Sequence, residues 1–145
     1  MGTEVKLFDS PEFGQLRGLE KANKDKYTGF FYILEYGNFV KIGSTKSPYT
    51  RMQSLKRSAV NYNNSTIGRL ALSAPHTNYT ENEKVLHKHF SEFRKADSEL
   101  FNLPFEEIVN NLPELEYKDE SEKFERRADA FFEGMKNFVL GGATK

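Results

Sequence analysis

The segment from Gly29 to Arg51, Gly-Phe-Phe-Tyr-Ile-Leu-Glu-Tyr-Gly-Asn-Phe-Val-Lys-Ile-Gly-Ser-Thr-Lys-Ser-Pro-Tyr-Thr-Arg, restricts what this chain can fold into more than any other stretch. Phe30 to Tyr36 is aromatic and β-branched, Phe39 to Ile42 is apolar around one lysine, and Gly37-Asn38 supplies turn residues between them. Two such runs joined by two turn formers signal a β-hairpin. Alternation along a strand puts Phe30, Tyr32 and Leu34 on one side and Phe31 and Ile33 on the other. Lys41 falls across the ladder from the first strand. Its charge cannot be buried unpaired, so it either leaves the sheet for water or enters a polar site beside Tyr32.

A chain of 145 residues is expected to form one domain, large enough to bury about two-thirds of its unfolded surface. Hydrophobic residues at 37% and charged residues at 29% give a globular rather than a disordered chain. Thirteen Phe and seven Tyr without Trp predict a core built on aromatics. The lack of Cys excludes disulfides and thiolate metal sites. No run approaches the roughly 18 apolar residues of a membrane span, and the charged N-terminus has no secretory apolar segment, so the expected location is cytoplasmic and no membrane partner is expected.

The zero net charge is unevenly spread. Between Glu35 and Glu81 there is no acidic residue, yet Lys41, Lys46, Arg51, Lys56, Arg57 and Arg69 all fall there. Residues 97 to 125 invert this, with ten Asp and Glu against Lys118 and Lys123. The asymmetry is what a local phosphate-binding surface on the hairpin and first helix would produce, and ordinary solvated charge is the other reading.

Around the hairpin, Val5-Lys-Leu-Phe and Phe13-Gly-Gln-Leu-Arg-Gly-Leu are short strand candidates that would pair as an extra hairpin, and Lys21 to Lys26 is a polar linker. A helix is expected from Thr50 as N-cap, with Met52, Leu55 and Ala59 on its apolar face. Arg51 then sits in the first turn, where it and free amides can converge on one anion, or it can pair with a surface carboxylate. Ile67 to Ala74 reads as a third strand ended by Pro75 and lying next to the hairpin. A helix follows from Thr80 to Arg94, with Val85, Leu86, His89, Phe90 and Phe93 on its apolar side. Thr80-Glu-Asn-Glu83 fits a capping box, which would make Glu83 structural. His87 and His89 are two apart on that helix and face different ways, so no chelating histidine pair and no histidine zinc site are expected. Glu99 to Leu103 is extended, Pro104 opens a helix through Leu112, and Phe124, Ala128, Phe131, Phe132, Met135, Phe138 and Val139 recur at three and four, predicting a long amphipathic helix over 119–140. That helix either covers the sheet or serves as a homodimer contact.

The pair Phe-Phe-Tyr-Ile-Leu and Lys-Ile-Gly resembles the two half-motifs of the GIY-YIG endonuclease superfamily, in the phage-borne branch with Lys-Ile-Gly as its second half-motif. Arg51, the segment Glu83-Lys-Val-Leu-His87-Lys-His-Phe90, Arg94 and Glu99-Leu-Phe101 follow in the same order, so the likeness spans residues 29–103. The resemblance implies an α/β fold with a small, mainly antiparallel three-stranded sheet flanked by helices, to which the long C-terminal amphipathic helix is added. The organisation expected is an N-terminal extension over 1–28, a nuclease-like domain over 29–112 and a C-terminal helix and tail over 113–145. Leu7 to Arg17 also resembles the opening of phage Bro-type antirepressor domains.

By this resemblance the chain hydrolyses DNA phosphodiester bonds with one Mg²⁺ or Mn²⁺. Tyr32 would take the proton from water, Arg51 would hold the phosphate, Glu83 would hold the metal, and Lys41 would occupy the second tyrosine's place. His87 would orient Glu83 or contact phosphate, a packed helix histidine being the other reading, while Lys46, Lys56, Arg57 and Arg69 would bind the nucleic-acid backbone. Lys41 departs from the pattern, because a charged lysine cannot accept a proton, although it could lower the pKa of Tyr32 or bind phosphate. The family's terminal polar residue has only Asn102 as a candidate. The alternatives are a non-catalytic phage-type module binding DNA or a phosphorylated nucleotide, and an antirepressor-like regulator.

Overall fold

The computed structural model describes residues 3–9, 13–23, 26–62 and 64–123, with 126, 130 and 133 beyond them. Along the chain come β1 (Lys6–Phe8), α1 (Phe13–Ala22), β2 (Phe30–Tyr36), β3 (Phe39–Thr45), α2 (Pro48–Tyr62), β4 (Ile67–Leu72), α3 (Tyr79–His89), a 3-10 turn (Ser91–Phe93), β5 (Leu100–Phe101) and α4 (Phe105–Asn110).

The hairpin forms as the alternation requires. β2 and β3 pair antiparallel from Phe30↔Thr45 to Tyr36↔Phe39, leaving Gly37-Asn38 as a two-residue loop. Gly37 takes φ +61 there, and a Cβ on it would fall 2.8 Å from Ser65 Oγ, so glycine suits both the backbone and the space. β4 pairs with the other edge of β2, as expected of the third strand. Among the described residues the sheet nevertheless has five strands, all antiparallel, in the order β1-β4-β2-β3-β5. The three-stranded expectation fails because β1 and β5 are three and two residues long, too short to show a period in sequence.

Both faces of the central hairpin are covered. Phe30, Tyr32, Leu34, Leu70 and Leu72 pack with Met52 and Ala59 of α2 and Leu16 of α1, whereas Phe31, Ile33, Val40 and Ile42 pack with Leu86, Phe90, Phe101, Phe105 and Ile108. Each large apolar side chain so buried contributes about 1.5–3 kcal/mol, and this cover holds the sheet between two helical layers.

The N-terminal extension is not a separate hairpin. β1 pairs with β4, and the second expected strand is the helix α1, which runs through the start of the expected linker. Leu16, wholly buried against the sheet face under α2, offsets the low helix propensity of Gly14 and Gly18. α2 starts at Pro48, two residues before Thr50, with proline in the first helical turn where its missing N–H costs nothing. α3 ends at His89 rather than Arg94, and Val85 and Phe93 stay exposed instead of joining the core. α4 stops at Asn110, short of Leu112.

Residues 113–120 form an extended strap tied to two other segments. Thr3 Oγ1 donates to the Pro113 carbonyl and accepts from the Leu115 amide. Asn78 and Asn82 donate to the Glu116 carbonyl, and the Thr77 amide donates to that of Lys118. His76 is buried beneath the strap, stacked on Tyr117 at 4.4 Å between ring centroids. The expected helix over 119–140 lies mostly outside the described residues, as does the dimer contact placed on it. Among the described residues no helix is long and apolar enough to cross a membrane.

Candidate active site

At Gly43, side chains from both helical layers converge. β5 pairs with β3 at Val40 and Lys41, and the Ile42 amide donates to the Glu99 carbonyl. Beyond Lys41 the β3 edge pairs with no further strand residue among the described residues. The Ile42 carbonyl, on the same edge as its amide, accepts instead from His87 Nε2 at 2.7 Å. Because a carbonyl can only accept, Nε2 carries the proton.

Tyr32 lies directly across from Gly43 in the ladder. A Cβ on Gly43 would stand 2.8 Å from Glu99 Oε1 and closer still to the Tyr32 phenol. Gly43 therefore leaves the room that a phenol and a carboxylate both approach. Tyr32 is wholly buried and, among the described residues, no group meets its hydroxyl with hydrogen-bond geometry. Burial raises its pKa well above the ordinary phenol value, the Glu99 and Glu83 charges add to the rise, and the nearby Arg51 guanidinium opposes it.

Arg51 is half-buried in α2, its amide donating to the Ser47 carbonyl. Thr50, expected as the N-cap, instead gives its amide and its hydroxyl to the Glu20 carboxylate of α1, at 2.9 and 3.0 Å. One amide of that helix end is thus already engaged by a carboxylate from outside the hairpin-to-helix segment.

Glu83 does not form the expected capping box. α3 starts one residue earlier, with Asn78 as its N-cap, no side-chain cap is made, and the Thr80 hydroxyl turns to Glu81. The physical reason lies in the strap, whose Glu116 carbonyl and Lys118 amide hold the Asn78 side chain. Glu83 points to His87 one turn on, 3.7 Å from its Nε2. Glu83, His87 and Glu99 are each half-buried and offer ligand atoms that all lie within 4.8 Å of one another. Two carboxylates and an imidazole are donors suited to a divalent cation, so the residues present fit a metal.

Lys41 takes the second of its two expected positions. It shares the Tyr32 face and its ammonium stands 3.8 Å from Glu99 Oε1. Arg51, not Lys41, is the cation that draws the Tyr32 pKa down. Beside the cluster opens a cleft of about 350 Å³ whose walls include Lys41, Glu99, Tyr36, Leu55 and Tyr62. Glu99 was missed as a site residue, although it stands in the quoted Glu99-Leu-Phe101. Its position became significant only through the pairing of β5 with β3 at Val40 and Lys41, which brings the residue before β5 beside Gly43. Asn102 lies elsewhere, exposed, with its amide on the Phe93 carbonyl.

Of the four residues expected to bind the nucleic-acid backbone, Lys46, Lys56 and Arg57 are exposed on α2 and the loop before it. Arg69 is engaged elsewhere. Its guanidinium donates to both Glu35 oxygens at 2.9 and 3.0 Å, pairs with Glu106 at 2.6 Å and stacks 4.9 Å from the Phe105 ring. Those contacts hold the Glu35 carboxyl below its ordinary pKa.

The sequence matches the T5orf172 domain over residues 29–116. No curated protein and no solved structure matches the chain. The matched span opens at Gly29, bridged to His76 beside the hairpin, and takes in β2 to α4 together with every residue of the cluster at Gly43. It covers more than half of the sequence, and the chain belongs to the T5orf172 domain family.

Proposed function

We propose that this protein is a metal-dependent endonuclease that hydrolyses DNA phosphodiester bonds in the cytoplasm by a GIY-YIG-type mechanism. Membership of a phage-associated domain family suggests a nuclease or a DNA-binding module. The observation that favours the nuclease is the meeting of Tyr32, Arg51, Glu83 and Glu99 at Gly43, where a buried phenol with no hydrogen-bond partner among the described residues faces two carboxylates.

In this reading a water attacks phosphorus, the P–O bond to the leaving nucleotide breaks, and the water's proton passes to Tyr32 Oη. Tyr32 must be ionised to accept it, and Arg51 is the protein's own group favouring that form. Arg51 also faces the charge that builds on the phosphate oxygens. Glu83 would hold the cation, with His87 beside it. A bound Mg²⁺ or Mn²⁺ would polarise the phosphate and the leaving oxygen and cancel the carboxylate charge that raises the Tyr32 pKa. Lys46, Lys56 and Arg57 would carry the flanking backbone.

The test is cleavage of plasmid, branched and single-stranded DNA with and without divalent ions. Cleavage should require the ion, Tyr32→Phe should lower the rate by about 10²- to 10⁴-fold, and Glu83→Gln should abolish it. The raised Tyr32 pKa favours one competing reading, a non-catalytic module that holds DNA or a phosphorylated nucleotide in the same place. A folded protein that binds DNA but cleaves nothing with any divalent ion would establish that reading instead.

A further inference from the structure

We propose that Glu83, His87 and Glu99 together form a site with one nitrogen and two carboxylates for a first-row transition-metal dication, and that Lys41 is the cation Glu99 holds until that ion arrives. The inference rests on the nuclease reading only for its purpose, since the ligands are argued from their own geometry.

Glu83 and His87 lie one turn apart on one face of α3, and Glu99 comes from the segment leading into β5. Two ligands about 2.1 Å from one ion stand at most about 4.2 Å apart. The observed limit of 4.8 Å therefore asks the three groups to close by about half an ångström, within the reach of half-buried side chains. The ring nitrogen of His87 that faces Glu83 is Nε2, at 3.7 Å, and it now donates to the Ile42 carbonyl, so an arriving ion requires the other tautomer, with the ring proton moved to Nδ1.

A second observation points to a ligand at this place. The Tyr32 hydroxyl is wholly buried, lacks a hydrogen-bond partner among the described residues, and lies at the space over Gly43 that Glu99 also enters. A water on the ion would satisfy it. Two carboxylates drawn to one point repel, and the Lys41 ammonium at 3.8 Å from Glu99 offsets one of those charges. An arriving dication replaces that offset and frees the ammonium for phosphate. The nitrogen donor sets the ion class, because affinity at nitrogen-containing sites rises from Mn²⁺ along the first row, whereas Mg²⁺ prefers oxygen and keeps most of its waters.

The experiment is a Mn²⁺ titration of the full chain without DNA, following the free-ion signal by electron paramagnetic resonance, with Mg²⁺ as competitor. One Mn²⁺ should bind per chain, about tenfold or more tighter than Mg²⁺. Glu99→Gln should weaken Mn²⁺ by about tenfold or more, His87→Gln should narrow the Mn²⁺/Mg²⁺ gap, and Lys41→Met should tighten Mn²⁺ several-fold. Each variant is measured below its own melting temperature, and Glu99→Asp, which keeps the carboxylate, should retain part of the affinity. Wild-type affinity in folded Glu99→Gln, or equal affinities of wild type for Mn²⁺ and Mg²⁺, would overturn the site. Unchanged Mn²⁺ affinity in Lys41→Met would remove Lys41 from it. Metal binding as expected without DNA cleavage would leave this inference standing and remove the nuclease, while metal-dependent cleavage with Glu99 irrelevant to binding would do the reverse.

Discussion

At Tyr32 the interests of stability and chemistry diverge. A buried hydroxyl with no partner costs roughly 1–3 kcal/mol, and this one is wholly enclosed. Tyr32→Phe, which keeps the ring in the core, should therefore raise the unfolding free energy by about 1 kcal/mol while it slows cleavage. Urea denaturation of the metal-free protein measures this, and a loss of stability would mean that the hydroxyl is bonded in solution. The position of Tyr32 was legible because strand alternation and the half-motif agree on it. Glu99 was not, since a strand of two residues gives no pattern, and its carboxylate reaches the phenol only because Gly43 has no side chain.

Among the elements, α1 departs most from what its sequence suggested. Gly14 and Gly18 lower its helix propensity, and the apolar residues around them are as compatible with a strand. The helix exists because Leu16 is buried under the sheet face and because its Glu20 takes the free amide of Thr50. Nothing lies within 4 Å of where a Cβ on Gly18 would be, and its φ is not in the positive range. Gly18→Ala should therefore stabilise the protein by about 0.5–1 kcal/mol, by removing freedom from the unfolded chain. Thermal melts of the two forms check it, and a drop in melting temperature would contradict the helical assignment. α2 illustrates the same dependence, since a carboxylate from outside its own sequence satisfies its first turn next to Arg51.

For the molecule as a whole, the strap and the charge distribution set the conditions of stability. His76 is buried with Nδ1 on the Ala74 carbonyl and Nε2 facing the Asn82 amide, and burial holds its pKa below the ordinary 6.5. The unfolded chain takes up a proton near that value while the folded one resists, so stability is complete above about pH 6.5 and declines as pH falls through the folded pKa, by at most about 1.4 kcal/mol per unit. Glu35, also depressed, adds its loss only below about 4.5. Between those values His76→Gln should flatten the dependence of unfolding free energy on pH. Arg69 belongs to the same scale, because its partners come from β2 and α4. Arg69→Ala should lower the melting temperature and leave DNA affinity unchanged, whereas Lys46→Ala and Arg57→Ala should weaken binding and reduce its salt dependence, as loss of phosphate contacts requires. Fluorescence anisotropy across a salt series separates the two. The sequence by itself determined the hairpin, its turn, the third strand and the face of β2 that carries Tyr32, because period and turn chemistry are local properties. Only the tertiary structure decided that Arg69 is neutralised, that Glu83 is released from capping and that Glu99 joins the site, because each depends on a partner more than ten residues away in the chain.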